Sequence, residues 1–191
     1  MTLVVADPDH PLRGSLEDAI RAVFLAEYGA RVPAFPRQLL ALLDRESRPL
    51  AASGLRFAED GFFSECYLEE PVEESLGRRA GTAVSRTEVV EFVSLAALRP
   101  GAALPLVGGA VRLCLASGCR WGLFTATARL RALLGRAGFV VEDIAAADRE
   151  RVTRPENWGS YYLHDPRVVA VRAESLPRVL NSAPNRTAAH A

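Results

Sequence analysis

Two glutamates three residues apart offer acid–base chemistry. Glu88 and Glu91 lie in residues 87–95, an apolar stretch rich in β-branched side chains that predicts a strand. Side chains three apart on a strand point to opposite faces, so only one of these carboxylates can face a cleft. There it would act as a general base or bind an amine. The alternative is an ion pair with a nearby arginine, for which the candidates are Arg56, Arg86 and Arg99.

Aromatic side chains form a second group. Trp158, Tyr161 and Tyr162 lie close together in an otherwise polar segment. They would either line a pocket, with a tyrosine hydroxyl as proton donor, or cover the open end of a sheet as part of the core. His164 precedes Asp165, which would orient it as a base, although a histidine beside a proline turn is more commonly structural or exposed.

The composition excludes several other chemistries. All 23 basic residues are arginine, which rules out a lysine Schiff base and a Walker A phosphate loop. The formal net charge of +0 gives no indication of nucleic-acid binding. The three cysteines form no CxxC pair and have no histidine at metal-ligand spacing, so we expect no metal site and free thiols, with a disulfide as the alternative. Cys66 has no evident activating neighbour.

The chain has the size and polarity of one globular domain, which we expect over residues 1–181. Its longest apolar run, residues 92–118, is broken by arginines and prolines, so no membrane span is expected. There is no pattern of a secretion signal at the start, and we expect a cytoplasmic protein. Residues 182–191 are rich in Ala, Asn, Pro and Thr and predict a disordered tail.

Hydrophobic periodicity predicts the elements. A helix over 15–28, capped by Ser15, precedes an antiparallel hairpin of strands 38–44 and 49–57. A helical segment over 62–76, interrupted by Pro71, and a loop over 75–85 lead to strand 87–95. The remaining elements are helix 106–117, strand 121–125, a helix capped by Thr125 or Thr127, strand 139–144, short helix 146–151, aromatic segment 156–164 and strand 168–172. This order predicts an α/β fold, a mixed central sheet with helices on both faces.

The unit over residues 121–139 suggests a more specific fold. A buried strand leads into a short helix, which ends at Gly138 in a position suited to a left-handed cap. The helix carries one apolar stripe, formed by Leu130, Leu133, Leu134 and Ala137. In this order, such elements end the acyl-binding core of the GCN5-related N-acyltransferases (GNAT), which the chain resembles.

Longer motifs resemble the thermostable hemolysin family. They are Glu-Phe-Val-Ser-Leu-Ala at 91–96, Phe-Thr-Ala-Thr at 124–127 and Trp-Gly-Ser-Tyr-Tyr at 158–162. The likeness extends over about residues 15–172 and includes segments 28–36 and 66–73. The first motif departs from the family's Glu-Val-Gly-Asn-Leu-Ala, because Val93 and Ser94 replace Gly and Asn. The family resembles distant GNAT-like acyltransferases close to the acyl-homoserine-lactone synthases.

The resemblance implies a site for acyl transfer. The two central strands, 87–95 and 121–125, would separate and expose backbone groups to the pantetheine arm of a thioester donor. Glu91, which begins the first family motif, is our candidate for the general base, and Tyr161 is a candidate proton donor. The candidate donor-binding residues are Ser94, Leu95, Arg99, Thr125 and Thr127. The candidate acceptor pocket comprises Glu88, Trp158, Tyr162 and His164.

Simpler roles compete with some of these assignments. A strand-end hydroxyl such as that of Ser94 also bonds its own backbone. Helix capping explains one of the two threonines, Thr125 and Thr127. Arg99 would otherwise be an exposed loop arginine.

Two departures from the ordinary GNAT pattern bear on the donor. The loop at 98–103 has the wrong glycine spacing for pyrophosphate binding, and Pro100 supplies no amide. Leu134 occupies the position of the tyrosine that usually protonates the leaving thiolate. A weak phosphate loop favours the phosphopantetheine of an acyl carrier protein over acyl-CoA, and an arginine patch would meet such an acidic carrier.

The sequence therefore predicts an acyltransferase. It would move an acyl group from an acyl carrier protein or coenzyme A to the amine of a small amino-acid-like acceptor, in bacterial secondary metabolism and without a metal. One alternative is a membrane-active protein, against which the neutral charge and the lack of a basic amphipathic helix argue. The other is a catalytically inactive GNAT-like binding protein.

Overall fold

Seven strands form one mixed sheet in the computed structural model, which describes residues 1–175. The strands are β1 (Thr2–Ala6), β2 (Gln38–Leu43), β3 (Pro49–Arg56), β4 (Val89–Ala97), β5 (Trp121–Ala126), β6 (Val141–Ala146) and β7 (Arg167–Arg172). The helices are α1 (Arg13–Tyr28), α2 (Val72–Ala80), α3 (Ala103–Ala116) and α4 (Ala128–Arg136). The predicted tail and the predicted domain end at residue 181 lie outside the described residues.

The strand order β1-β2-β3-β4-β5-β7-β6 combines two pairing modes. β1 to β4 form an antiparallel meander, whereas β4 and β5 are parallel and are joined through α3. β7 lies between β5 and β6 and is antiparallel to both, so β5 and β6 run in the same direction. The predicted mixed sheet is therefore confirmed.

Helices cover both faces of this sheet, as predicted. α3 and α4 bury Leu106 and Leu134 against one face. α1 and α2 bury Leu16 and Leu76 against the other face, over different strands. The helices and each face of the sheet enclose an apolar layer from which water is excluded. The sheet therefore contributes to all of the core clusters.

Most element boundaries follow the sequence prediction, and the hairpin bounds agree within one residue. The helix prediction for 62–76 is wrong in its first half, where residues Phe63–Tyr67 form a 3-10 turn. α2 begins only after Pro71 and continues to Ala80, so the predicted loop over 75–85 is helical in its first part. The Glu65 carboxylate accepts a hydrogen bond from the amide of Val72, the first residue of α2, and this bond stabilises the helix start at that position.

Two local predictions also change, and a third is decided between its two alternatives. Ser15 does not cap α1, because its hydroxyl donates to the Leu12 carbonyl from within the helix. Thr127, rather than Thr125, caps α4. The predicted helix over 146–151 is a short 3-10 turn at Arg149–Arg151.

The sheet opens between β4 and β5. These strands pair only from Val89 with Trp121 to Phe92 with Phe124, although both continue further. Two residues after the last pair, Ser94 has a φ of +51°, and the register between β3 and β4 shifts in the same region. A positive φ in a strand produces a bulge that bends the chain away from its neighbour. The separation of the two strands predicted from the family resemblance is therefore present.

The segment with the second aromatic motif is fixed against the end of α1. Ser160 N donates to the Tyr28 carbonyl at 2.8 Å, and Arg31 N donates to the Asn157 carbonyl at 2.6 Å. Gly159 lies between these contacts with a φ of +50°, and a Cβ there would be 2.1 Å from the Tyr28 oxygen. Only glycine permits this approach.

Replacing Gly159 by alanine should therefore destabilise the protein strongly. We expect a loss of about 1–2 kcal/mol from the positive φ and about 1–3 kcal/mol from the overlap. Gly29→Ala is the matched control, since Gly29 also has a positive φ but open space around its Cβ position. Urea unfolding of both variants measures the difference, and equal losses would contradict the steric argument.

Candidate acyl-transfer site

A cavity of about 630 Å³ occupies the gap between β4 and β5. It is lined from both faces of the sheet, so it passes between the separated strands. Aromatic residues line it on the α1 and α2 face, and they are Phe24, Tyr28, Phe63, Tyr67, Trp158 and Tyr161. Leu104 of α3 and Leu130 and Leu133 of α4 line its other side.

The structure brings the five predicted donor-binding residues together in the lining of this cavity. They are Ser94, Leu95, Arg99, Thr125 and Thr127. Ser94 forms the bulge at which the strands separate. Thr127 also accepts a hydrogen bond from Leu130 N, so its hydroxyl has the capping role considered as the alternative.

Glu91 lies behind the cavity wall. Its side chain is completely buried and is absent from the cavity lining. The carboxylate accepts hydrogen bonds from Phe63 N at 2.6 Å, Ser64 N at 2.8 Å and Ser64 Oγ at 2.5 Å. Burial raises the pKa of Glu91, and these donors offset part of that rise.

Two hydroxyls connect this buried carboxylate to the cavity. Ser64 Oγ lies 2.8 Å from Thr125 Oγ1, and Thr125 lines the cavity. The Ser64 hydroxyl donates its only proton to Glu91, so Ser64 Oγ is the acceptor in its hydrogen bond with the Thr125 hydroxyl. The Thr125 oxygen is then left with lone pairs for a donor inside the cavity. Glu91 can thus act as a proton acceptor through Ser64 and Thr125 without direct contact.

The predicted aromatic residues divide between the cavity and its surroundings. Tyr161 and Trp158 line the cavity, and the Tyr161 hydroxyl donates to the Thr125 carbonyl at 2.7 Å. Burial raises the pKa of Tyr161, so this hydroxyl keeps its proton. Tyr162 lies outside the lining, where its hydroxyl bonds that of Tyr67 at 2.7 Å.

The structure also places Glu88 and His164, both predicted for the acceptor pocket, away from the cavity lining. Glu88 precedes β4 in a 3-10 turn, where it accepts from Ser85 N at 2.9 Å and pairs with Arg120 at 3.2 Å. His164 is exposed and contacts the Tyr28 ring by its edge. Asp165 does not orient this histidine, because its carboxylate pairs with Arg131.

Residues missed by the sequence prediction contribute to the site, and Ser64 and Arg56 matter most. Ser64 lies in the turn mispredicted as helix, and no local pattern indicates that it meets Glu91. Arg56, the last residue of β3, was considered only as an ion-pair partner, yet it lines the cavity. Leu134, which stands where the usual tyrosine would be, is buried in the core. Burial raises the pKa of the Cys66 thiol to about 11.

Charges in the cavity lining are mostly positive. Arg99, Arg129 and Arg136 lie on the loop before α3 and on α4, and Glu27 is the one acidic residue among the described lining. Glu27 lies 3.5 Å from Arg129, and both side chains are largely exposed. This exposed group of arginines, the basic mouth, is suited to anionic groups.

Within residues 1–175, no group of three or more His, Cys, Asp or Glu side chains is arranged to hold a metal ion. In the same range, no helix is long and apolar enough to cross a membrane.

Comparison with known proteins agrees with this geometry. The family model described as thermostable hemolysin matches residues 6–176. The chain belongs to the thermostable hemolysin family. Among curated proteins, no sequence matches the chain significantly.

Solved structures similar to this family member include acyl-homoserine lactone synthases. LasI has a TM-score of 0.62 at 10% identity and covers 98% of each chain. BjaI, a CoA-dependent synthase solved with SAM and isopentyl-CoA, has a TM-score of 0.60 at 18% identity, covering 94% of this chain and 86% of its own. FeeM, an N-acyl amino acid synthase from uncultured soil microbes, has a TM-score of 0.53 at 13% identity, covering 88% and 93%. These likenesses confirm the predicted GNAT-like fold.

Ser64→Ala should reduce stability by about 1.5–3 kcal/mol, the range for a hydrogen bond to a charged group. The pKa of Glu91 is raised in the folded protein, so folding favours its protonated form and the protein loses stability as pH rises through that pKa. The Ser64 hydroxyl donates to the ionised carboxylate and limits this loss of stability. The destabilisation caused by Ser64→Ala should therefore be larger at pH 8 than at pH 5.

Urea unfolding at both pH values measures this penalty. Ser117→Ala is the control, because that exposed serine donates only to the Leu113 carbonyl. A penalty for Ser64→Ala that does not change with pH would contradict the coupling to Glu91.

Proposed function

We propose that this protein is an acyltransferase. It transfers an acyl group from a thioester on a phosphopantetheine arm to the amine of a small amino-acid-like acceptor. The observation that carries the proposal is the chain from Glu91 through Ser64 to Thr125, which ends in a cavity at the gap between β4 and β5. A thioester in this gap would have a proton acceptor beside it.

The donor arm fits the gap because unpaired backbone groups line it. β4 beyond Phe92 and β5 beyond Phe124 have no ladder bonds to each other, so those of their amides and carbonyls that are not bonded elsewhere can pair with the amides of pantetheine. The acyl chain would lie against the leucines of α3 and α4. Phosphates would meet the basic mouth, since the N-terminus of α3 contains Pro105 and offers fewer amides.

The proposed reaction moves one proton together with the acyl group. The acceptor amine attacks the thioester carbonyl, the new C–N bond forms and the C–S bond breaks. The amine proton passes to Thr125 Oγ1 as the Thr125 proton moves to Ser64 and the Ser64 proton to Glu91. Glu91 then returns that proton along the same path, through Ser64 and Thr125, to the leaving thiolate, so the net products are an amide and a thiol and the carboxylate is restored.

Tyr161 has a positioning role in this scheme. Its hydroxyl is bound to the Thr125 carbonyl, and it thereby fixes the strand that carries the Thr125 side chain. Trp158 packs between Tyr161 and Phe63 and contributes to the wall near the hydroxyl chain.

Glu91→Gln should lower kcat for acyl transfer by about 10²–10⁴-fold, the usual contribution of a general base. In the unmodified protein, kcat/KM should fall as pH drops through the raised pKa of Glu91, because the protonated carboxyl no longer accepts a proton. Thiol release from decanoyl-CoA or decanoyl acyl carrier protein with a panel of amines measures both effects.

Two further variants define this test. Thr125→Val removes the cavity end of the hydroxyl chain without changing the buried carboxylate, and it should show a similar loss. Glu88→Gln is the control, because Glu88 pairs with Arg120 outside the cavity. Full activity of folded Thr125→Val and Glu91→Gln would refute this proton path. Dye release from lipid vesicles, in the absence of any transfer to amines, would favour the membrane-active alternative.

Neutralising the basic mouth should weaken donor binding. Arg99→Gln and Arg136→Gln should raise KM for the donor about 3–10-fold at low salt and leave kcat nearly unchanged, with a smaller effect at high salt. Donors with and without phosphates distinguish the carriers. An effect on decanoyl-CoA that is absent with decanoyl-pantetheine indicates nucleotide phosphates, whereas a larger effect on the acyl carrier protein indicates its acidic surface.

Arg45→Gln, in the exposed turn between β2 and β3, is the control for a general change in charge. Unchanged KM values for every donor in both mouth variants would exclude this role for the basic mouth.

A further inference from the structure

Arg56 is a cation held in place inside the cavity. It ends β3, is partly buried and lines the cavity. Its Nη1 donates to the carbonyl oxygens of Asp60 at 3.2 Å and Gly61 at 3.0 Å. These bonds fix one edge of the guanidinium, and the other nitrogens remain as donors.

No nearby carboxylate among the described residues forms an ion pair with Arg56. None of the ion pairs among residues 1–175 includes it. The Asp60 carboxylate accepts from Phe57 N, and Glu91 accepts from Phe63 and Ser64. Burial raises the pKa of Glu91 and the charge of Arg56 offsets part of that rise, but the two side chains form no ion pair. A partly buried guanidinium with no carboxylate bonded to it favours binding of an anion.

The position of Arg56 relative to the hydroxyl chain restricts the anion. Arg56 and Glu91 are directly opposed on β3 and β4, so their side chains share the face that carries the aromatic wall. Leu123 is the next partner across the sheet, and Thr125 follows two residues later on the same face. An anion on Arg56 is thus on the same side of the sheet as the proton acceptor.

An α-amino acid has the matching chemistry, since one carbon carries both its carboxylate and its amine. Planar guanidinium binds carboxylate through paired hydrogen bonds. The side chain of the amino acid would contact the apolar and aromatic surface of Phe63, Tyr67 and Trp158. We propose that Arg56 binds the free α-carboxylate of the acceptor, which is an apolar or aromatic α-amino acid. As a statement about the acceptor, this inference rests on the proposed function.

Matched ligands test the inference on the unmodified protein. L-Phenylalanine and L-leucine are each compared with the corresponding amide, first by calorimetric binding without a donor and then as acceptors with decanoyl-CoA and decanoyl acyl carrier protein. We expect the amides to bind about 10–100-fold more weakly and to show a correspondingly higher KM, because they lack the charged group.

Variants assign this preference to Arg56. Arg56→Gln should remove the difference between acid and amide by raising KM for the acid while kcat changes little, and Arg56→Lys should retain part of it. Arg45→Gln should retain all of it. Because Arg56→Gln also loses bonds to the loop at Asp60 and Gly61, its thermal unfolding is measured in parallel.

The outcomes separate the two proposals. Equal binding and equal transfer of acids and amides would overturn the role of Arg56 and leave the acyltransferase proposal intact. Binding that depends on the carboxylate and on Arg56, without transfer to any amine, would keep the anion site and refute the acyltransferase proposal. If neither amino acid binds or is acylated, the inference is overturned.

Discussion

The separation of β4 from β5 is the constraint on which the site depends. Parallel strands that stayed paired to their ends would fill the space now occupied by the cavity. Their pairing stops at Phe92 and Phe124, whose stacked rings, with centroids 4.7 Å apart, mark the last point of contact. Ser94 then takes a left-handed conformation, which costs a non-glycine residue about 1 kcal/mol or more. The buried Ser53 hydroxyl, which donates to the Val93 carbonyl, satisfies one backbone group exposed by this bulge.

The unpaired edges of β4 and β5 would be unfavourable in a protein that bound nothing between them. Backbone groups that lose their ladder partners must be solvated or bound to something else. Here they face a cavity open to both sides of the sheet, and the elements around them are rigidly anchored. The Gly159 segment is fixed to the end of α1, and α4 is capped by Thr127. The gap is therefore a built feature of the sheet rather than a frayed end.

The sequence predicts the elements of this architecture better than its site, for a physical reason. The hairpin, the strands and α4 follow from apolar periodicity and turn residues within a few positions of one another. Contacts between Ser64 and Glu91, or between Arg56 and the cavity, join residues distant in sequence, and no local pattern encodes them. The residues proposed to bind the donor lie on or next to the two separating strands that carry the family motifs. Glu88 differs, since β4 starts two residues later than predicted and leaves it in a capping turn.

The burial of Glu91 carries the strongest argument for function over structure. A carboxylate with no exposed surface pays a large desolvation cost, and a leucine would fill the same place in the sheet without that cost. Three donors reduce the cost, and two of them are the first amides of the 3-10 turn, which have no acceptor within the turn. One of these donors continues through Thr125 into the cavity. A carboxylate with a purely structural role would not need the connection through Thr125. A general base that is shielded from water and still exchanges protons with a ligand does need it.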